Sequence, residues 1–108
     1  MKVLLVNGSP HEKGCTAAAL QEVGKALAQE DIPSDFFWIG NQPLTGCIGC
    51  GYCAKTGKCR YNDRVNAFLE TAKDYDGFVF GAPVHFASAA ASMFGFMDRA
   101  FFTDQQAG

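Results

Sequence analysis

Four of the chain's five cysteines lie in the thirteen-residue run Cys47-Ile48-Gly49-Cys50-Gly51-Tyr52-Cys53-Ala54-Lys55-Thr56-Gly57-Lys58-Cys59. Thiolates are soft ligands, and gaps of two, two and five residues let all four reach one small object. One reading is a cubane iron–sulfur cluster. Ferredoxin runs are similarly compact, although theirs end on a gap of three and a proline, whereas Cys59 is followed by Arg60. A single tetrahedral zinc in a closed four-thiolate site is the second reading. In the third the thiols are free and pack a tight loop shaped by Gly46, Gly49, Gly51 and Gly57. A structural disulfide framework fits least well, because five is an odd count for pairing.

The second stretch with chemistry in it is Asn7-Gly8-Ser9-Pro10-His11-Glu12-Lys13-Gly14-Cys15-Thr16. Its small residues let backbone N–H groups converge on an anion, the following helix adds its dipole, and Ser9 and Thr16 offer hydroxyl donors. An ordinary polar connection is the plainer alternative. Three standard phosphate motifs are excluded by counting. A P-loop needs four residues between its glycines, but Gly8 and Gly14 have five between them and Cys15 follows. Gly49-Cys50-Gly51-Tyr52-Cys53-Ala54 satisfies G-x-G-x-x-A in form, yet it does not follow the first strand. A cysteine phosphatase wants an arginine six positions after its nucleophile; Cys53 has Cys59 there, and Cys15 has no arginine nearby. No Ser-His-Asp order stands out as a triad, and Asp74 and Asp76 flank a turn and suggest no acid–base pair.

Both stretches need elements to hold them. The chain has 108 residues, 48% apolar and 13% aromatic, enough for one packed domain spanning 1–108. Nine basic and eleven acidic residues give a net charge of −2 and no basic stripe, which argues against nucleic acid as a partner. The apolar run Val3–Val6 is too short for a signal sequence or a membrane span, so a cytoplasmic chain with no membrane partner is expected. In that reducing compartment a cysteine cluster points to metal or redox chemistry.

Val3–Val6 is a continuous apolar run, as in a parallel strand covered on both faces. From Cys15 to Gln29, Ala19, Leu20, Val23, Ala26 and Leu27 recur at helical spacing. Residues 35–39 predict a second strand, and the cysteine run a long loop. Asn62 or Asp63 caps a helix carrying Val65, Phe68, Leu69 and Ala72, and Gly77–Gly81 predicts a third strand. A last helix places Ala90, Phe94, Met97 and Phe101 on one side, with Asp98-Arg99 near its end, where arginine favours the helix dipole. Phe36, Phe37, Phe68, Phe78, Phe80, Phe94 and Phe101, with Trp38, read as core. The order βαβαβα calls for a parallel sheet in a three-layer α/β/α fold, with ligands outside the carboxyl ends of the strands.

Four landmarks together resemble one family: Val6-Asn7-Gly8-Ser9-Pro10 with Gly14-Cys15-Thr16, the cysteine run, Gly81-Ala82-Pro83-Val84-His85-Phe86, and Met97-Asp98-Arg99. The family is that of the flavodoxin-like NAD(P)H-dependent FMN reductases, including the branch related to iron–sulfur flavoproteins. The resemblance implies that Ser9, His11, Cys15 and Thr16 surround the FMN phosphate and that Pro83, Val84, His85 and Phe86 border the flavin. It implies hydride transfer from NAD(P)H to FMN and onward transfer to an unidentified electron acceptor, with a 4Fe-4S cluster on Cys47, Cys50, Cys53 and Cys59 as the iron–sulfur variant. Cys15 replaces the family's usual asparagine, a weaker donor, and His85 stands where many members carry tyrosine. His11 and His85 also read as plain loop histidines. A flavodoxin-like sheet has five strands in the order 2-1-3-4-5, and this chain supplies three. The expectation is therefore an incomplete flavodoxin-like domain lacking its C-terminal strands, or a homo-oligomer whose second copy covers the third strand. An electron carrier and an inactive or metal-binding fragment are the alternative functions.

Overall fold

The computed structural model describes residues 1–42, 44–85 and 88–107, so the expected flavin-bordering Phe86 lies outside the described residues. Three strands form one parallel sheet in the order β2-β1-β3. They are β1 (Val3–Asn7), β2 (Ser34–Trp38) and β3 (Gly77–Gly81). The central strand is buried along its whole length because both faces are covered. Its alternation sorts the core. Leu4 and Val6 pack with Phe37, Ile39, Val65, Phe68, Met93, Phe96 and Ala100, while Val3 and Leu5 pack with Leu20, Val23, Leu27, Ile32 and Val79.

The second of these sets includes one face of α1 (Cys15–Gln29); the first includes α3 (Arg64–Ala72) and α4 (Ala91–Ala107). Asp63 caps α3 by accepting the Val65 N–H at 3.1 Å. Phe68 meets Phe37 and Phe96 edge-on, with ring centroids 5.6 and 5.0 Å apart. The layers and the parallel order match a flavodoxin-like α/β fold that is incomplete on the β3 side. Among the described residues the outer edge of β3 has no partner strand.

Three details differ from the sequence expectation. The cysteine run is not all loop, since Tyr52–Thr56 forms a short helix, α2, between the left-handed glycines Gly51 and Gly57. The buried stripe of α4 is Met93, Phe96 and Ala100, whereas Phe94 and Phe101 are 50% and 47% exposed. Apolar residues recur at 93/96/100 and at 94/97/101, so helical spacing admits either stripe. Only the first fits the space beneath β1 and α3. Phe36 and Phe78 are also exposed, each on a strand at the sheet's margin. Among the described residues no helix is long and apolar enough to cross a membrane.

Candidate functional site

Asn7 ends β1 with its side chain turned into the loop that follows. Its Oδ1 accepts the Ser9 N–H at 2.9 Å, and its Nδ2 donates to the carbonyls of Glu12 and His11 at 3.2 and 3.4 Å. Ser9 is buried, and its Oγ accepts the His11 N–H at 3.0 Å. From the neighbouring strand, the Trp38 indole N–H donates to the Ser9 carbonyl at 2.8 Å. Asn7 and Trp38 are thus braces of this loop that residue type alone does not reveal. Trp38 does more than fill core, and only the pairing of β1 with β2 brings it within reach.

The loop runs into α1 at Gly14, an N-cap residue without a side-chain hydrogen bond to the helix. The first intrahelical bond is Ala18 N–H to the Gly14 carbonyl. The N–H groups of Cys15, Thr16 and Ala17 therefore sit at the positive end of the helix with no intrahelical acceptor. Cys15 is exposed and Thr16 half-buried beside them.

The turn after β3 leaves the sheet at the same end. Strands β1 and β3 pair in parallel with Asn7 opposite Gly81, and the Gly8 N–H donates to the Gly81 carbonyl at 2.7 Å. A Cβ at Gly8 would stand 2.2 Å from Met93 Cε, which would have to move, and 3.0 Å from the Gly81 carbonyl. At Gly81 a Cβ would stand 3.0 Å from Thr16 Cγ2. One groove is lined by Cys15, Thr16, Ala19, Gly81, Ala82 and Pro83, among others, so the two loops share a wall. The Pro83 turn is closed by the Ala90 N–H on the Pro83 carbonyl and by an antiparallel bridge between Val84 and Ala89. Val84 and His85 are exposed, as is His11 in the first loop. This arrangement suits a ligand with an anionic group at the helix start and an apolar body against the Pro83 turn.

All four clustered cysteines line a second concavity, with Gly46, Ile48, Tyr61, Arg99 and Phe102 among its other walls. The two sites have no lining residue in common. Cys47 and Cys50 are exposed, Cys59 is half-buried, and Cys53 is buried on α2. The Gly49 N–H points at Cys47 Sγ from 3.4 Å, and Asn66 accepts from the Cys59 N–H and donates to its carbonyl at 2.9 and 3.0 Å. Among the described residues, no three histidine, cysteine or acidic side chains are gathered tightly enough to hold one metal ion. By residue type the donor set is one that iron–sulfur ligation uses: four cysteines line one concavity, and N–H donors are aimed at the sulfurs of Cys47 and Cys59.

Arg99 corrects the sequence reading. It lies in the middle of α4, not near its end, and is 1% exposed. Its Nη1 and Nη2 donate to Asp63 Oδ2 and Oδ1 at 2.9 Å each, Nη2 also donates to the Tyr61 carbonyl at 2.9 Å, and Nε points at Cys59 Sγ from 3.4 Å. Burial works against the charged guanidinium, but the bonds to Asp63 and Cys59 outweigh it and hold the pKa above the ordinary arginine value. Its neighbour Asp98 accepts the Cys47 N–H at 2.9 Å.

The sequence matches the family model described as NADPH-dependent FMN reductase over residues 1–107. An iron-sulfur flavoprotein of Methanocaldococcus jannaschii is 37% identical over 99 residues, covering 92% of this chain and 51% of that protein. An iron-sulfur flavoprotein of Clostridioides difficile is 32% identical over 103 residues, covering 93% and 46% respectively. One of Archaeoglobus fulgidus is 26% identical over 99 residues, covering 92% and 48%. The chain thus spans about half the length of the curated relatives it matches.

Proposed function

The chain belongs to the NADPH-dependent FMN reductase family, and from that premise we propose that it is a flavoprotein oxidoreductase acting on NAD(P)H. In this reading Ser9, His11, Cys15 and Thr16 surround the phosphate of FMN, and Pro83, Val84, His85 and Phe86 border its ring system. The observation that carries the reading is the groove that Cys15 and Thr16 share with Gly81, Ala82 and Pro83, where a Cβ at Gly81 would stand 3.0 Å from Thr16 Cγ2, because it sets the start of α1 beside the Pro83 turn. Bound FMN supplies hydride acceptance from the nicotinamide, and a 4Fe-4S cluster on Cys47, Cys50, Cys53 and Cys59 supplies one-electron exchange with the acceptor.

The protein's own share is positioning and electrostatics. Asn7 and Trp38 keep the phosphate loop in its curved form before ligand arrives, which lowers the ordering cost of binding. The N–H groups of Cys15, Thr16 and Ala17 meet the phosphate charge without needing a basic side chain. Gly8 and Gly81 let the two loops approach to backbone contact. No side chain need act as acid or base.

Two features favour the iron–sulfur form over a plain reductase: the four cysteines lining one concavity, and relatives named as iron-sulfur flavoproteins. A cytoplasmic setting, which keeps thiols reduced, belongs to the same reading. So does a homo-oligomer in which a second copy pairs with the outer edge of β3, which has no partner strand among the described residues. The test is addition of FMN to purified chain, followed by flavin fluorescence and by NADPH oxidation. Saturable quenching with FMN-dependent NADPH consumption is expected. Quenching without NADPH oxidation would make the chain an electron carrier, and absence of quenching would remove the flavin assignment.

A further inference from the structure

The cysteine run is held to the rest of the protein by two adjacent residues of α4. Asp98 accepts the N–H of Cys47, the first cysteine of the run, at 2.9 Å. Gly46 leaves room for that approach, since a Cβ there would stand 3.3 Å from Asp98 Oδ2 and would crowd it. One turn earlier, Gly95 lets the backbone lie against the helix, with its ideal Cβ position 3.0 Å from the Leu44 carbonyl oxygen. At the far end of the run, Arg99 points Nε at Cys59 Sγ and binds the Tyr61 carbonyl and the Asp63 carboxylate. Asp63 in turn caps α3, and Asn66 on α3 holds the Cys59 backbone. Cys59 is therefore fixed at its N–H, its carbonyl and its sulfur, all from helices packed in the core.

The chemistry at the two ends differs. Asp98 fixes backbone only. Arg99 carries a buried positive charge and directs its Nε–H at a sulfur, while its carboxylate partner Asp63 is bound through Nη1 and Nη2. A cluster gains one negative charge on reduction, so a cation and an N–H donor at a ligand sulfur stabilise the reduced form relative to the oxidised one.

We propose that Asp98 and Arg99 form a two-point clamp that anchors the first and last cysteines of the run, and that Arg99 is the positioning residue that raises the electron affinity of a cluster bound there. The second half rests on the iron–sulfur reading above; the first does not.

The clamp is tested on the metal-free chain. Asp98→Ala should speed hydrogen exchange at the Cys47 amide about tenfold or more, while the amides of β1 keep their protection. Unchanged exchange at Cys47 overturns the clamp. Tuning is tested by anaerobic reconstitution with iron and sulfide, followed by redox titration read by absorbance. In Arg99→Gln the ratio of reduced to oxidised cluster at a fixed potential should fall about tenfold, which is about 59 mV for a one-electron couple. Arg99→Lys, which keeps the charge but not the planar fork, should recover part of that shift. A purely structural arginine would lower loading in both variants and leave the potential where it was, and that result overturns the tuning role. A wild-type chain that takes up no cluster overturns the iron–sulfur reading and the tuning role together, while the Cys47 exchange result still decides the clamp.

Discussion

Replacing Asn7 by alanine isolates the order of the loop after β1 from its composition. Asn7 contributes no atom to the proposed ring site and does not flank the start of α1, yet three loop hydrogen bonds pass through its side chain. Two of them have ordinary lengths, 2.9 and 3.2 Å, and the third is long at 3.4 Å. At about 0.5–1.5 kcal/mol net for each of the two good bonds, Asn7→Ala should destabilise the fold by about 1–3 kcal/mol. Urea unfolding followed by the fluorescence of Trp38, the chain's single tryptophan, reads this directly. If the loop is the phosphate seat, part of that energy reappears as ordering cost on binding, and FMN affinity should fall about tenfold, equivalent to about 1.4 kcal/mol. Asn7→Asp sharpens the test. It keeps the acceptor for the Ser9 N–H but turns an anionic oxygen toward the loop carbonyls and the incoming phosphate. Its affinity loss should exceed that of alanine and shrink with added salt. Tyr75→Phe is the control, because it removes a 2.7 Å bond to Asp35 near the opposite end of the sheet and should leave FMN affinity alone. Destabilised Asn7→Ala protein that binds FMN as tightly as wild type would refute the reasoning.

Other consequences follow from single contacts. Arg99→Ala should cost about 3 kcal/mol in urea unfolding, the lower end for a broken buried ion pair, because Asp63 keeps 33% of its side chain exposed. Gly8→Ala should lower stability by about 1–3 kcal/mol by overpacking against Met93 and should weaken FMN binding further by separating Gly8 from Gly81. Gly49→Ala meets no neighbouring atom but must adopt φ of +68°, so it should cost about 1 kcal/mol through backbone strain, with Gly49→Asn costing less. The hydrogen bond to Asp35, with burial and nearby carboxylates adding to it, raises the Tyr75 pKa above the ordinary tyrosine value. The folded state therefore holds that proton more tightly, and the resulting stability is full below about pH 10 and is lost as pH rises through the raised value. Spectrophotometric titration should show one tyrosine ionising late, and Tyr75→Phe should abolish that step.

Much of the scaffold was legible because its signals are local. Val3–Val6 is apolar without interruption and ends at Asn7-Gly8-Ser9-Pro10, so both a strand and the loop at its carboxyl end could be placed. Gly77–Gly81 reads the same way, and pairing the two in parallel is what brings Thr16 to Pro83. What escaped depends on partners distant in sequence or on two patterns in competition. Helix α4 carries two apolar stripes one residue apart, and only the volume beneath β1 and α3 chooses between them. Helix α2 is one turn between left-handed glycines, too short to show a period. Arg99 looked like an end-of-helix cation, although its place three residues after Phe96 puts it beside the buried stripe. Its partners are 36 to 40 residues away, and only the packing of α3 on α4 reveals them. The braces Asn7 and Trp38 likewise become visible only when the loop's hydrogen bonds are traced.

The central claim is that the start of α1 and the turn after β3 form one seat for FMN. Heteronuclear amide NMR during FMN titration tests it most directly. The amides of Cys15, Thr16 and Ala17 and those of Val84 and His85 should shift together with one saturation curve. Shifts confined to one of these loops, or centred on the cysteine run, would contradict it.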